Sequence, residues 1–392
     1  MALQKMRDIK PVYLAASVGI FLTFVFVTLI STHHSVHIKS SIRDHLRNIN
    51  IPLGPSSSPS IYSSRVASIS FEGALRTLYA PLLASIDSPN FVDPTDGQEY
   101  HLPDGEPAWR KPLGKELCIV DIDTRPLNES NQIMSEEFNW QNIEGVSVGM
   151  LNHYLYALIH GYDYKFIHTS QWFNNSRDDV WTKIPALRET LQDYRFVVMI
   201  DADAVFRNLH LPYEWLLNRW DITEDTSLAM PLDPEWYEDS HTPLGYTKNK
   251  YGDLNPNAGF VTAQNLPRTF EILDAWISCP DNEERYPGCD HFRKGWPAEQ
   301  GAFGEHIRYE FNKTTDFKAF SCTDGNGFPS QNSECKGIFV RHFTTGKGEL
   351  KAAVGDTLLH TLFARTHGDI MRRWGDVVIE RNSTEGLDEA YL

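Results

Sequence analysis

Phe196-Val197-Val198-Met199-Ile200-Asp201-Ala202-Asp203-Ala204-Val205-Phe206 decides how the rest of the chain is read. Five consecutive apolar residues, three of them Val or Ile, fit a strand buried on both faces of a parallel sheet. Two carboxylates at the carboxyl end of such a strand sit where open α/β sheets bind ligands. Their oxygens are hard donors, suited to Mg²⁺ or Mn²⁺ carrying a diphosphate. A solvated acidic turn gives the same letters, because 52 acidic residues make Asp-x-Asp frequent by chance.

The flanking sequence alternates strand and helix. Leu117–Ile122 reads as a strand ending in a second Asp-x-Asp, Asp121-Ile122-Asp123. Ser147–His160 carries Val148, Leu151, Leu155, Leu158 and Ile159 at helical spacing, and Gly161 suits its carboxyl cap. Lys165–His168 is a short strand, and Pro185 suits the first turn of a helix running to Asp193. Pro212–Trp220 reads as a further helix. The order strand–helix–strand–helix–strand predicts an α/β fold in the nucleotide-binding arrangement of a parallel sheet. No Gly-x-Gly-x-x-Gly and no Walker Gly-Lys-Ser/Thr occurs, which speaks against a dinucleotide dehydrogenase or a P-loop enzyme.

Ahead of this body lies a different kind of segment. Lys5, Arg7 and Lys10 precede Pro11–Ile30, 20 residues without a charge. At helical rise that is roughly 30 Å, the thickness of a bilayer core. The basic flank predicts a cytosolic amino terminus and a lumenal body. The expected organisation is a cytosolic tail (1–10), a transmembrane signal anchor (11–30) and a stem (31–114). A catalytic body (115–347) and a carboxyl-terminal extension (348–392) follow. Within the stem, Pro52–Ser60 has linker composition, and Val66, Ile69, Leu75, Leu78, Leu82 and Ile86 suggest an amphipathic helix. That helix could dock on the body or form a homo-oligomer.

A lumenal body agrees with four Asn-x-Ser/Thr sites, at Asn128, Asn174, Asn312 and Asn382. Cys279/Cys289 and Cys322/Cys335 each bracket a polar loop and fit disulfides in an oxidising compartment, whereas Cys118 sits in an apolar run as a buried thiol. With 41% hydrophobic residues the body can bury a full core. A net charge of −16 with no basic stripe argues against nucleic acid as a partner.

Six stretches, in this order, resemble one family. They are Tyr156–Tyr162, Trp181–Arg188 and Met199–Ala204, then Leu254–Phe260, Ala298–Phe303 and Phe339–Phe343. Together they resemble glycosyltransferase family 34, which holds fungal Golgi α-galactosyl- and α-mannosyltransferases and plant xyloglucan xylosyltransferases. The resemblance covers roughly residues 115 to 347. It implies a GT-A fold (a Rossmann-like mixed sheet flanked by helices), type II Golgi topology, and retaining, Mn²⁺-dependent transfer from a nucleotide-diphosphate sugar to a glycan acceptor. It assigns metal and diphosphate to Asp201 and Asp203, the third metal ligand to His342, and the sugar and acceptor site to Asn257, Gly259, Glu299 and Gln300. Two places depart from the pattern: the first strand ends in Val-Asp-Ile-Asp, and no Cys follows His342.

The chemistry stands beside the resemblance. Two Asp and one His suit Mn²⁺, with Mg²⁺ as the harder alternative, since imidazole is the softer ligand. A divalent cation neutralises the charge that develops on a leaving diphosphate. Retention needs a nucleophile under the sugar ring or attack from the leaving-group face. Glu299 and Gln300, with Asn257 nearby, are the candidates for the underside, or else they hold sugar hydroxyls. Lys183 either offsets phosphate charge or is a solvated residue at a helix start. Asp121 and Asp123 compete for the metal, but their place at the first strand suits contacts near the base or ribose of a UDP or GDP donor better.

Two rival readings remain at this stage. A haloacid-dehalogenase-type phosphatase would use Asp201 as nucleophile and Asp203 as acid/base. That fold needs a Gly-Asp with a second Asp about one turn on, and Gly252-Asp253, Gly355-Asp356, Gly368-Asp369 and Gly375-Asp376 all lack it. A non-catalytic carbohydrate-binding Golgi protein could use some of the ten Trp as stacking faces.

Overall fold

The computed structural model describes residues 70–169, 172–235, 247–327 and 335–380. Its centre is a six-stranded mixed sheet in the order β4-β3-β5-β8-β7-β9. The strands are β3 (Leu117–Asp123), β4 (Asp163–His168), β5 (Phe196–Ile200), β7 (Leu228–Pro231), β8 (Phe260–Gln264) and β9 (Phe317–Phe320). β3 runs parallel to β4 and β5, with Val120 opposite Met199. β8 lies antiparallel to β5, with Ile200 opposite Phe260. The strand expected inside a parallel sheet thus has one parallel and one antiparallel neighbour.

Period-two alternation sorts the strand residues onto two faces. Phe196, Val198 and Ile200 join Leu117, Ile119 and Phe260 in one core, under the helices Gly145–His160 and Tyr213–Arg219. Val197 and Met199 join Cys118, Val120, Val261 and Ala263 in the other, under Lys183–Thr190 and Pro267–Ser278. Every β5 side chain is therefore dry, which is why the segment carries no polar residue. Gly161 ends the helix Gly145–His160 at φ 79°, a left-handed cap that glycine adopts without a Cβ penalty.

β6 (Ala204–Phe206) leaves the main sheet directly after the Asp-x-Asp turn and pairs antiparallel with β10 (Val340–His342). His342 lies opposite Ala204 in that ribbon, and Phe343 N donates to Asp203 O at 2.7 Å. This pairing carries a sequence-distant histidine to the carboxyl end of β5.

The described residues from Phe71 onward form one compact unit. Tyr79, Phe91, Trp109 and Leu113 are buried in its first core, where the Trp109 ring meets Phe196 edge-on at 5.1 Å. β1 (Asn90–Val92) and β2 (Glu99–His101) form a hairpin. Of the expected stem helix, the described part is Phe71–Tyr79. It stops there because Pro81 disfavours helical backbone at the preceding residue and cannot donate to it. Leu82 and Ile86 therefore follow on non-helical chain, and Val66 and Ile69 lie outside the described residues.

Leu350–Arg372 is a long helix whose Leu350 and Val354 pack on Val148, Val205 and Phe343. Disulfides join Cys279 to Cys289 and Cys322 to Cys335, as their loops suggested. Cys118 is a buried free thiol, its pKa pushed up to about 12 by burial. Among the described residues no helix is long and apolar enough to cross a membrane. The span expected at 11–30 and the sequon at Asn382 lie outside those residues.

Candidate active site

The Asp-x-Asp turn is clamped from two sides. Asp201 N donates to Gly259 O at 2.7 Å, tying the turn to the start of β8. A Cβ on Gly259 would lie 2.5 Å from the His342 ring and 2.9 Å from Asn257 Oδ1, so only glycine lets these groups converge. On the other side, a Cβ on Gly149 would lie 1.9 Å from Ala202 O. The helix Gly145–His160 can press against the turn only because that position has no side chain.

Asp201, Asp203 and His342 each offer a ligand atom, all within 4.8 Å of one another, a set that could hold a divalent cation. His342 Nε2 is 3.3 Å from Asp203 Oδ1, while Nδ1 pairs with Asn326 Oδ1 at 2.9 Å. A hydrogen bond on the second ring nitrogen is the usual companion of a metal-ligating histidine. The donor set therefore fits Mn²⁺ or Mg²⁺ by type and by orientation.

Two lysines attend the carboxylates. Lys183 Nζ sits 3.2 Å from Asp201 Oδ1 and 2.8 Å from Glu299 Oε1. Burial opposes its charge, but the Asp201 and Glu299 carboxylates outweigh burial and raise its pKa. Lys347 Nζ is 2.8 Å from Asp203 Oδ2. Burial disfavours ionised Asp203, yet His342 and Lys347 prevail and hold it well below the ordinary carboxylate range. By the same contest, burial against the Asp203 charge, the pKa of His342 is raised above 6.5.

Two cavities meet at this cluster and share Val180, Lys183, Asp201, Asp203 and Lys347. The larger, about 350 Å³, runs toward Asp123, Thr124, Arg125 and Asp179. The smaller, about 180 Å³, runs toward Asn257, Gly259, Glu299, Gln300 and His342. The residues singled out from sequence thus converge, with one exception. Asp121 does not line either cavity. It is 1% exposed, and its carboxylate accepts from His153 Nδ1 at 2.9 Å and Tyr164 OH at 2.8 Å. Alternation places it on the face of Leu117 and Ile119, under the helix, so the expected base or ribose contact fails for Asp121. Asp123, two residues on, reaches the cavity edge, paired with Arg125 at 2.6 Å.

Glu299 and Gln300 enter from the short helix Ala298–Ala302, which starts at Ala298 with φ 45°, an unusual value for a residue with a Cβ. Gln300 Nε2 donates to Asp233 Oδ2 at 2.7 Å and its Oε1 accepts from Ala258 N at 3.1 Å. Asn257 Nδ2 donates to Asp233 Oδ1 at 2.9 Å and its Oδ1 accepts from Gly259 N at 2.9 Å. Both amides are spoken for on both ends. Asp233, which burial lifts to about 6 despite the donors around it, was not anticipated, nor were Asn326, Arg125 and Lys347. A signal for Asp233 existed: it closely follows the apolar run Leu228–Pro231, as Asp201 follows β5. β7 and β5 point the same way, each antiparallel to β8, so both deliver a carboxylate to one sheet edge.

Residues 132–313 match the model of the galactosyl transferase GMA12/MNN10 family. No curated protein matches the sequence. A solved structure of a glycosyltransferase involved in the glycosylation of the major capsid of PBCV-1 is similar at 11% identity and a TM-score of 0.40, over 61% of this chain and 98% of that one. The matched family segment contains Lys183, Asp201, Asp203, Asn257, Gly259, Glu299 and Gln300. The segment that holds the Asp-x-Asp turn and the residues around it is thus similar to the galactosyl transferase GMA12/MNN10 family.

Proposed function

We propose that this chain is a Mn²⁺-dependent, retaining glycosyltransferase. It moves a hexose or pentose from a UDP- or GDP-linked donor to a glycan acceptor. The observation that carries the reading is the convergence of Asp201, Asp203 and His342 within 4.8 Å at the junction of two cavities. When bound there, a divalent cation supplies Lewis-acid neutralisation of the departing diphosphate.

The chain's own residues do the rest. Asp201 and Asp203 hold the cation, and His342 completes the set from the ribbon edge. Lys183 and Lys347 flank the carboxylates as fixed positive charge where the diphosphate develops its own negative charge. The larger cavity, with Asp123 and Arg125 at its rim, takes the nucleoside. The smaller takes the sugar. Glu299 is the carboxylate we assign beneath the ring, because Gln300 and Asn257 have both amide ends engaged by protein and serve to shape the wall. Trp296, 58% exposed at the smaller cavity, offers an aromatic face to an acceptor pyranose. Thr344 Oγ1, buried at the same cavity without a hydrogen-bond partner among the described residues, offers a hydroxyl to it.

The uncharged stretch 11–30 with its basic flank and the four sequons support a type II Golgi membrane protein with a lumenal body. A phosphatase using Asp201 as nucleophile is disfavoured by the missing second Asp after every Gly-Asp and by the family match. The test is hydrolysis and transfer by the purified full-length protein across UDP- and GDP-sugars, with Mn²⁺ and with chelator. One donor should be cleaved in Mn²⁺ alone, with the anomeric configuration kept. Turnover of no donor, or equal turnover in chelator, contradicts the proposal.

A further inference from the structure

We propose that Asp233 is the positioning residue of this site, a single buried carboxylate that orients three amides and, through Asn326, sets the tautomer of His342. The proposal rests on the metal reading of Asp201, Asp203 and His342.

Asp233 is 3% exposed and lies just beyond β7. Its Oδ1 accepts from Asn257 Nδ2 at 2.9 Å and from Asn326 Nδ2 at 3.1 Å, and its Oδ2 accepts from Gln300 Nε2 at 2.7 Å. A carboxylate only accepts, so each amide must turn its nitrogen inward and its oxygen outward. The three oxygens then point at Gly259 N, Ala258 N and His342 Nδ1, at 2.9, 3.1 and 2.9 Å. Two of these bonds fix the Ala258-Gly259 turn against Asp201.

The third bond bears on ligation. An amide oxygen can be answered only by a donor, so Nδ1 of His342 carries hydrogen and Nε2 turns its lone pair toward the carboxylates. Asn326 Nδ2 also donates to Leu232 O at 3.2 Å, so Asp233 and that carbonyl together keep the Asn326 amide from flipping. A flipped amide would donate to Nδ1, drive the proton onto Nε2, and remove the ligand. Neither Asp233 nor Asn326 touches the cation site itself: Asn326 acts through His342, whereas Asp233 acts through His342 and also, by way of Asn257 and Gln300, through the turn against Asp201.

A double-mutant cycle on the full-length protein tests this, reading the affinity for Mn²⁺ alone by calorimetry, without nucleotide. Asp233→Asn should weaken Mn²⁺ binding about 10–100-fold, the usual cost of losing such an outer partner. In the His342→Ala background the same substitution should cost clearly less than in the parent, because one of its two routes is already cut. Asn326→Ala should weaken binding in the parent and change it less than about twofold in the His342→Ala background, since His342 is its one route, and it decides the matter if Asp233→Asn does not fold. Unchanged affinity in the single variants, or an equal loss in both backgrounds, overturns the inference. A parent protein that binds no Mn²⁺ would overturn the metal reading as well, whereas normal binding in Asp233→Asn defeats the positioning role alone.

Discussion

Lys347 Nζ lies 2.8 Å from Oδ2 of Asp203, on the carboxylate whose other oxygen faces His342 at 3.3 Å. A cation held by Asp203 would compete with Lys347 for that oxygen and leave the ammonium free to meet a diphosphate. Lys347→Ala should therefore weaken UDP or GDP binding in Mn²⁺ by about tenfold, the scale of one charge-assisted contact. Affinity for Mn²⁺ alone should stay level or rise. Calorimetry separates the two, and a matching loss of Mn²⁺ affinity would contradict this role.

Metal affinity should depend on pH through His342. Its pKa is raised above 6.5 because the Asp203 charge outweighs burial, and an imidazolium cannot ligate. A raised value means the proton is held to higher pH, so Mn²⁺ affinity should climb as pH rises through that value and level off above it. Asp203, held low, is already ionised and adds no proton to the balance. At pH 6.5, calorimetry in buffers of different ionisation enthalpy should show proton release on binding, falling away as pH rises. Release of none would speak against His342 as ligand.

Gly259 is a packing requirement of the site. A Cβ there would sit 2.5 Å from the His342 ring and 3.0 Å from Asp201 Oδ2. Gly259→Ala should lower stability by about 1–3 kcal/mol, the cost of overpacking, and weaken Mn²⁺ binding with it. Thermal unfolding and Mn²⁺ titration of the variant check both, and a parent-like melt with parent-like affinity would show the convergence to be slack.

Asn128, Asn174 and Asn312 are all exposed, as a glycan acceptor must be. If the body is lumenal, expressed protein should gain mobility after endoglycosidase treatment, and replacing the three by Gln should remove most of the shift. No shift in the parent would count against the lumenal placement.

Much of this site was legible locally. Phe196–Ile200 announced a buried strand because both its faces pack on apolar cores, and its end announced a ligand edge. The Asp121 reading failed because spacing alone cannot tell which carboxylate of an Asp-x-Asp clears the sheet. Asp121 faces His153 from within β3, and only Asp123 reaches the rim. His342 could be placed by resemblance but not by local pattern, since the antiparallel pairing of β6 with β10 is a long-range event. Asp233 carried the same signal as Asp201 but follows a strand of only four residues ending in Pro231, which reads weakly.

The central claim is that Asp201 and Asp203 bind a nucleotide diphosphate through a divalent cation. The most direct measurement is UDP and GDP affinity by calorimetry, with and without Mn²⁺, for the parent, Asp201→Asn and Asp203→Asn. Each substitution keeps the shape and removes an anionic ligand, so unfolding midpoints should stay close to the parent's. The account predicts Mn²⁺-dependent binding of one nucleotide by the parent and its loss in both variants. Unchanged nucleotide affinity in the two variants, or parent binding that ignores Mn²⁺, would contradict it.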